Sequence, residues 1–275
     1  MQFSCLSSGS KANCTLIKSA RSAVLIDVGL STRQAELRLQ AIGVKPQDIG
    51  AILITHEHSD HICGVESFSR KHRIPVYANH GAAPFVRKAY HVEVFNSQQD
   101  FMLDDFHVQP VLTQHDATEP VGFILDDRRF RIGVITDLGR ITPAVRQYAQ
   151  RLNALILESN HDQEMLQTCS YAWHLKQRIS STHGHLSNDS AAAFLATIAS
   201  SELSHIILAH LSENSNTPRH ALNTAAAHLS DWSGRICCAS VARPTPLVDL
   251  RSIQSQTEIP LLHQASSQIV LESAA

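Results

Sequence analysis

The sequence predicts an α/β sandwich, sheets inside and helices outside, and three observations support that class. Short runs rich in Val, Ile and Leu recur along the chain, each stopping at a polar residue. Segments with helix-start and helix-stop residues lie between some of them. Reactive side chains fall at or just after the ends of the runs, where a rigid strand hands over to a loop. Strands mixed with helices bury their apolar faces best as stacked layers.

The elements follow in order. Residues 23–27 (AVLID), 51–55 (AILIT), 75–78 (PVYA), 154–158 (ALILE) and 206–209 (IILA) read as buried strands. Ser31 can cap a helix through Ala41, with Gly43 just past its end. Residues 123–125 and 130–135 flank Asp126 and Asp127, the pattern of a hairpin. Ser187 can cap an alanine-rich helix through about Ser200. No Pro-, Gly- or Ser-rich linker and no repeat divides the chain. One domain is expected over residues 1–254, and the polar, irregular stretch 255–275 reads as a loosely held tail.

Composition narrows the function. With 43% hydrophobic and 17% charged residues, the 275-residue chain suits a soluble protein with a sizeable core. No apolar run approaches about 18 residues, so no membrane partner is expected. The opening MQFSCLSSGSKANC lacks the pattern of a secretory signal, and the six cysteines form no regular framework or CxxC pair. They read as reduced thiols in a cytoplasmic protein. A net charge of −2 argues against a broadly basic nucleic-acid-binding surface, so any phosphate contact must be local. The 17 histidines, against 23 Lys plus Arg, stand out. Most can be ordinary surface or core residues, and spacing alone promotes the others.

Spacing does so in ITHEHSDHICG. His56 and His58 can turn toward one ion, while Asp60 and His61 can face a second. Imidazole and carboxylate together suit zinc, and also manganese or iron. A metal-free polar loop rarely gathers four ligand-type residues within six positions directly after a buried strand. Asp27, His115, Asp137, Glu158 and His210 also end apolar runs, and their convergence on one edge would make a site.

HxHxDH resembles the signature of the metallo-β-lactamase superfamily, and further motifs appear in that family's order. Asp27 in LIDVG resembles a bracing aspartate, while His115 in TQHDA, Asp137 in VITDLG and His210 in ILAHLSENSN resemble ligand motifs. The resemblance covers about the first 250 residues and implies an αβ/βα four-layer sandwich holding two divalent metal ions. It gives His56, His58 and His115 to one metal, Asp60, His61 and His210 to the other, and makes Asp137 the bridge. A water between such cations loses its proton near neutral pH and becomes the nucleophile.

LESNHD, GHLSN, AHLSENSN, the opening SSGSKANCTLI and RPTPLVDL together resemble the YycJ/WalJ-type branch, which is similar to ribonuclease Z-like nucleases. That likeness implies a nuclease, DNA favoured over RNA and trimming 5′-directed, with His185 and Glu158 joining Asp60 in catalysis. His185 could instead be a helix-start residue before the Ser187 cap, the less favoured reading. Ser8, Ser10 and Asn13 could hold a terminal phosphate or form an ordinary turn. His161, Asp162 and Asp116 could brace ligands. Cys63 reads as packing, Trp173 and Tyr171 as base-stacking or partly buried core. A small-molecule hydrolase acting on a cyclic phosphodiester, lactone or thioester, and a non-catalytic metal-binding sensor, are the alternatives.

Overall fold

The computed structural model describes residues 1–200, 202–254 and 270–271. The expected loose tail otherwise falls outside the described residues. In the first half of the chain, β1 (Gln2–Ser7), β2 (Cys14–Lys18) and β3 (Ala23–Ile26) precede α1 (Thr32–Ala41). Then come β4 (Ala51–Leu53), α2 (Ser59–Ile62), α3 (Val65–His72), β5 (Val76–Asn79) and β6 (Val92–Phe95). The second half opens with β7 (Phe101–Leu103), β8 (Phe106–Leu112), β9 (Val121–Asp126) and β10 (Arg131–Ile135). It continues through α4 (Pro143–Tyr148), β11 (Ala154–Glu158), α5 (Gln163–Thr168), α6 (Trp173–Ile179), α7 (Asn188–Ile198) and β12 (His205–Ala209). α8 (Pro218–His228), β13 (Arg235–Cys238), β14 (Val248–Asp249), α9 (Arg251–Gln254) and β15 (Val270–Leu271) complete it.

The strands form two sheets, ordered β14-β1-β2-β3-β4-β5-β6 and β15-β13-β12-β11-β10-β9-β8-β7. Alternation of side chains along each strand sorts them into layers. Val24, Ile26, Phe123, Leu125, Ile132 and Val134 point into the core between the sheets. Leu25 faces the other way, onto Leu39 of α1 and Phe68 of α3, while Ile124, Leu155 and Leu157 face α7 and α8. Helix, sheet, sheet and helix therefore stack as four layers. Each fully buried Phe or Leu in them contributes about 1.5–3 kcal/mol of transfer free energy.

Local chemistry sets the boundaries. The Ser31 hydroxyl accepts from Gln34 N at the start of α1, and Gly43 takes φ +72° just past its end. Ser187 caps α7 through Ser190 N, and β9 and β10 pair antiparallel across the Asp126–Asp127 turn. β3 through β6 run parallel, as do β10 through β13. Parallel strands place their C-terminal ends at one edge, the usual location of a site in such sheets. A backbone hydrogen bond from Val121 N to Thr55 O, 3.1 Å, ties the two sheets together there. No helix among the described residues is long and apolar enough to cross a membrane.

On β12, the His205 ring packs edge-on against Phe3, 6.1 Å between centroids. Burial, aided by the Arg235 guanidinium, pushes its pKa down to about 4. The unfolded chain takes up this proton near 6.5, which the folded chain resists. Stability present above that pH is therefore lost as pH falls toward 4. His205→Gln should shrink the loss of unfolding free energy between pH 7 and pH 5, as read by urea titration. An unchanged difference would contradict this account.

Candidate metal centre

Every residue singled out for metal chemistry sits at the end of a strand or just after it, Asp60 and His61 on the short helix α2. Asp27 follows β3, His56 to His61 follow β4, His115 follows β8, Asp137 follows β10, Glu158 ends β11 and His210 follows β12. Three of them adopt left-handed backbone: Asp27 at φ 60°, Asp137 at φ 58° and His210 at φ 55°. That conformation is uncommon outside glycine and costs of order 1–3 kcal/mol each. It turns the chain sharply off the strand and keeps the side chain on the edge where the two sheets meet.

The donor atoms gather into four overlapping groups, two of which contain Asp137: one with His56 and His61, the other with Glu158, His185 and His210. His56, His58 and His115 present ligand-type atoms within 4.8 Å of one another, as do Asp60, His61 and His210. Asp137 lies between: Oδ2 is 3.3 Å from His61 Nε2, and Oδ1 is 3.3 Å from His210 Nε2 and 3.8 Å from His115 Nε2. Asp60 Oδ2 is 3.4 Å from His61 Nε2 and 3.5 Å from His210 Nε2.

The surrounding hydrogen bonds fix the imidazole tautomers. Thr55 N and Oγ1 donate to Asp27, so the Thr55 oxygen is left to accept from His56 Nδ1 at 2.9 Å. His61 Nδ1 donates to Asp27 Oδ2 at 2.7 Å, and His115 Nδ1 donates to the Gly184 carbonyl at 3.0 Å. In all three rings the Nδ1 proton is committed to an acceptor away from the cluster, so Nε2 is the nitrogen each would turn to a cation. His210 Nδ1 faces Glu158 Oε1 at 3.5 Å, and its Nε2 also points inward.

This donor set fits divalent cations. His56 Nε2, His210 Nε2 and Asp137 Oδ2 are buried without any hydrogen-bond partner, an arrangement that is costly unless another ligand satisfies it. Burial alone would raise the Asp137 and Asp60 carboxyls, but neighbouring His210 and His61 hold both well below the usual carboxylate range. Conversely, burial would lower the two imidazoles. The carboxylates of Asp137 and Asp27 instead raise His61, and those of Asp137 and Asp60 bring His210 up to about 9. The pocket demands positive charge, which protons or cations can supply.

Glu158 is fully buried. Its Oε2 accepts from Leu138 N and Leu186 N, at 2.9 and 3.1 Å, and its Oε1 holds His185 Nδ1 at 2.6 Å. The His185 ring lies 5.0 Å from those of both His115 and His210. Ser8 and Asn13 are buried and turned inward. The Ser8 hydroxyl accepts from His210 N at 2.7 Å, and Asn13 Nδ2 donates to Asp60 Oδ2 at 3.1 Å. Ser10 is exposed outside this network. Asp116 lies 3.2 Å from His115 Nε2 and pairs with Arg178. Asp162 caps α5, Cys63 Sγ donates to Gly29 O, and Trp173 is exposed.

Several contributors escape sequence reasoning. Asn160 Nδ2 donates to the His210 carbonyl at 2.8 Å, and Asn216 Nδ2 binds the carbonyls of Ser159 and Asn160. Glu57 accepts from both N and Oγ1 of Thr118, pinning residues 118–119 beside His58. Gly29 lets the metal loop approach: a Cβ there would sit 1.7 Å from the Asp60 carbonyl oxygen. The glycine in DVG was the one available signal.

Residues 22–211 match the family model described as "Beta-lactamase superfamily domain". The chain is 34% identical over 226 residues to exodeoxyribonuclease YycJ of Bacillus anthracis, covering 78% of this chain and 84% of that relative. It is 34% identical over 239 residues to exodeoxyribonuclease WalJ of Streptococcus pneumoniae, covering 83% and 88%. The fold superimposes on the metallo-β-lactamase fold protein YhfI from Bacillus subtilis with a TM-score of 0.68 at 16% identity, over 89% of this chain and 98% of that one.

Losing the charge that orients His61 should loosen the site without unfolding it. Asp27→Asn is expected to lower divalent-metal affinity by about 10–100-fold in chelator competition, with far-UV circular dichroism retained. Wild-type affinity in this variant would contradict the bracing role.

Proposed function

The chain belongs to the metallo-β-lactamase superfamily and is a metal-dependent hydrolase, and on that premise we propose that it is a phosphodiesterase acting on DNA, trimming from the 5′ end. Residues 1–254 form its catalytic domain. The Glu158–His185 pair carries this reading. A buried carboxylate with two backbone donors cannot move, so it holds the 19%-exposed His185 ring in one orientation beside the ligand cluster. Cleaving a phosphodiester expels an alkoxide, which needs a proton as the P–O bond breaks. His185, oriented by Glu158 through its Nδ1, can give a proton to the leaving oxygen. A thioester expels a stable thiolate, and its hydrolase has less need of such a donor. The two exodeoxyribonuclease relatives support DNA as the substrate.

His56, His58 and His115 would hold one cation, Asp60, His61 and His210 the other, with Asp137 between them. Zinc or manganese suits these donors, and iron is compatible. Two such cations would neutralise phosphoryl oxygens and lower the pKa of the attacking water. Asp60, held by Asn13, keeps its oxygen facing both His61 and His210.

End-labelled single- and double-stranded DNA tests the reading. Metal-loaded protein should release labelled 5′-terminal products, and chelation should stop it. Turnover of a thioester or lactone with intact DNA would reject it. His58→Ala and Asp60→Ala should abolish cleavage while the fold survives. His185→Ala should keep its metal and lose about 10²-fold or more of the single-turnover rate. An unchanged rate would remove His185 from the chemistry.

A further inference from the structure

A cavity of about 290 Å3 opens beside the metal centre, between α5, the segment before α7 and Gly139. His185 lines the cavity and also belongs to the donor cluster, so the cavity opens directly beside the candidate centre. The volume lies at the small end of the range, about 300–1,000 Å3, that encloses drug-sized ligands.

Its lining has a definite chemical character. Gln163 and Gln167 stand one helical turn apart on α5 and face it together. Neither side-chain amide makes a hydrogen bond to the protein among the described residues, so both keep a donor and an acceptor to offer. Ser180 and Ser190 add hydroxyls, and Leu166 adds an apolar wall. His161 is 97% buried at the base, judged from its 3% exposure, and its Nδ1 has no hydrogen-bond partner. No Lys, Arg, Asp or Glu lines the cavity.

An anion would find no countercharge there, and a purely apolar group would leave the amides and imidazole unpaired. An uncharged, planar-to-polar group with its own donors and acceptors fits. We propose that this cavity is a nucleoside subsite, in which Gln163 and Gln167 read the base of the nucleotide whose sugar oxygen leaves the scissile phosphate. This deepens the phosphodiesterase reading and rests on it. His185 stands at the junction of the two compartments, where the leaving oxygen of a nucleoside seated in the cavity would lie.

Calorimetric titration of the metal-loaded protein with the four deoxynucleoside 3′- and 5′-monophosphates, and with inorganic phosphate, tests it. At least one nucleotide should bind about ten-fold more tightly than phosphate, an increment two neutral hydrogen bonds can supply. The double variant Gln163→Ala/Gln167→Ala should erase that increment. Its metal content, far-UV circular dichroism and phosphate affinity should stay at wild-type level, which also shows that it folds. Nucleotides binding no better than phosphate, or an increment surviving in the variant, would overturn the subsite. Failure of the phosphodiesterase reading shows separately, as wild-type protein inert toward bis(p-nitrophenyl) phosphate.

Discussion

The structure depends on holding the Asp137 carboxylate, 3% exposed, among imidazoles at the edge where two sheets meet. A buried carboxylate is tolerable only when positive charge and hydrogen-bond donors surround it. The ends of β4, β8 and β12 supply those groups, and they can do so only because the strands terminate at one edge. Left-handed backbone at Asp27, Asp137 and His210 is the local cost of that arrangement, of order 1–3 kcal/mol at each. The core between the sheets offsets that cost.

A second layer gives the donors their direction. Asp27 acts on His61 directly and on His56 through Thr55, so one carboxylate sets two tautomers in both ligand groups. Glu158 is stationed in the same manner by backbone N–H groups of Leu138 and Leu186, and orients His185. The two carboxylates differ in what they serve. Asp27 holds imidazoles inside the donor cluster, whereas Glu158 holds the His185 imidazole at its edge. The two sets of rings are thus oriented by separate buried carboxylates, one from each sheet.

The four-layer class and most of the residues that cluster at the edge were legible in sequence because their signals are local. HEHSDH follows a buried strand directly, and Asp137 and His210 each mark the abrupt end of an apolar run. Capping hydroxyls at Ser31 and Ser187 likewise announced α1 and α7. Ser8 and Asn13 suggested a phosphate loop, yet their side chains hold His210 and Asp60, partners 202 and 47 residues away. Asn160 and Asn216 belong to the same kind of long-range network, where an amide gains meaning only from what burial brings beside it. Short edge strands such as β6 and β7 carry too few inward residues to show a period.

The central claim is that these donors form one centre for two cations bridged through Asp137. Metal analysis of chelator-stripped, zinc- or manganese-reloaded protein tests it most directly, comparing wild type with Asp137→Ala. Two ions per wild-type chain, with fewer retained by the variant, is the predicted result. A single ion per wild-type chain, or two held equally well by the variant, would contradict it.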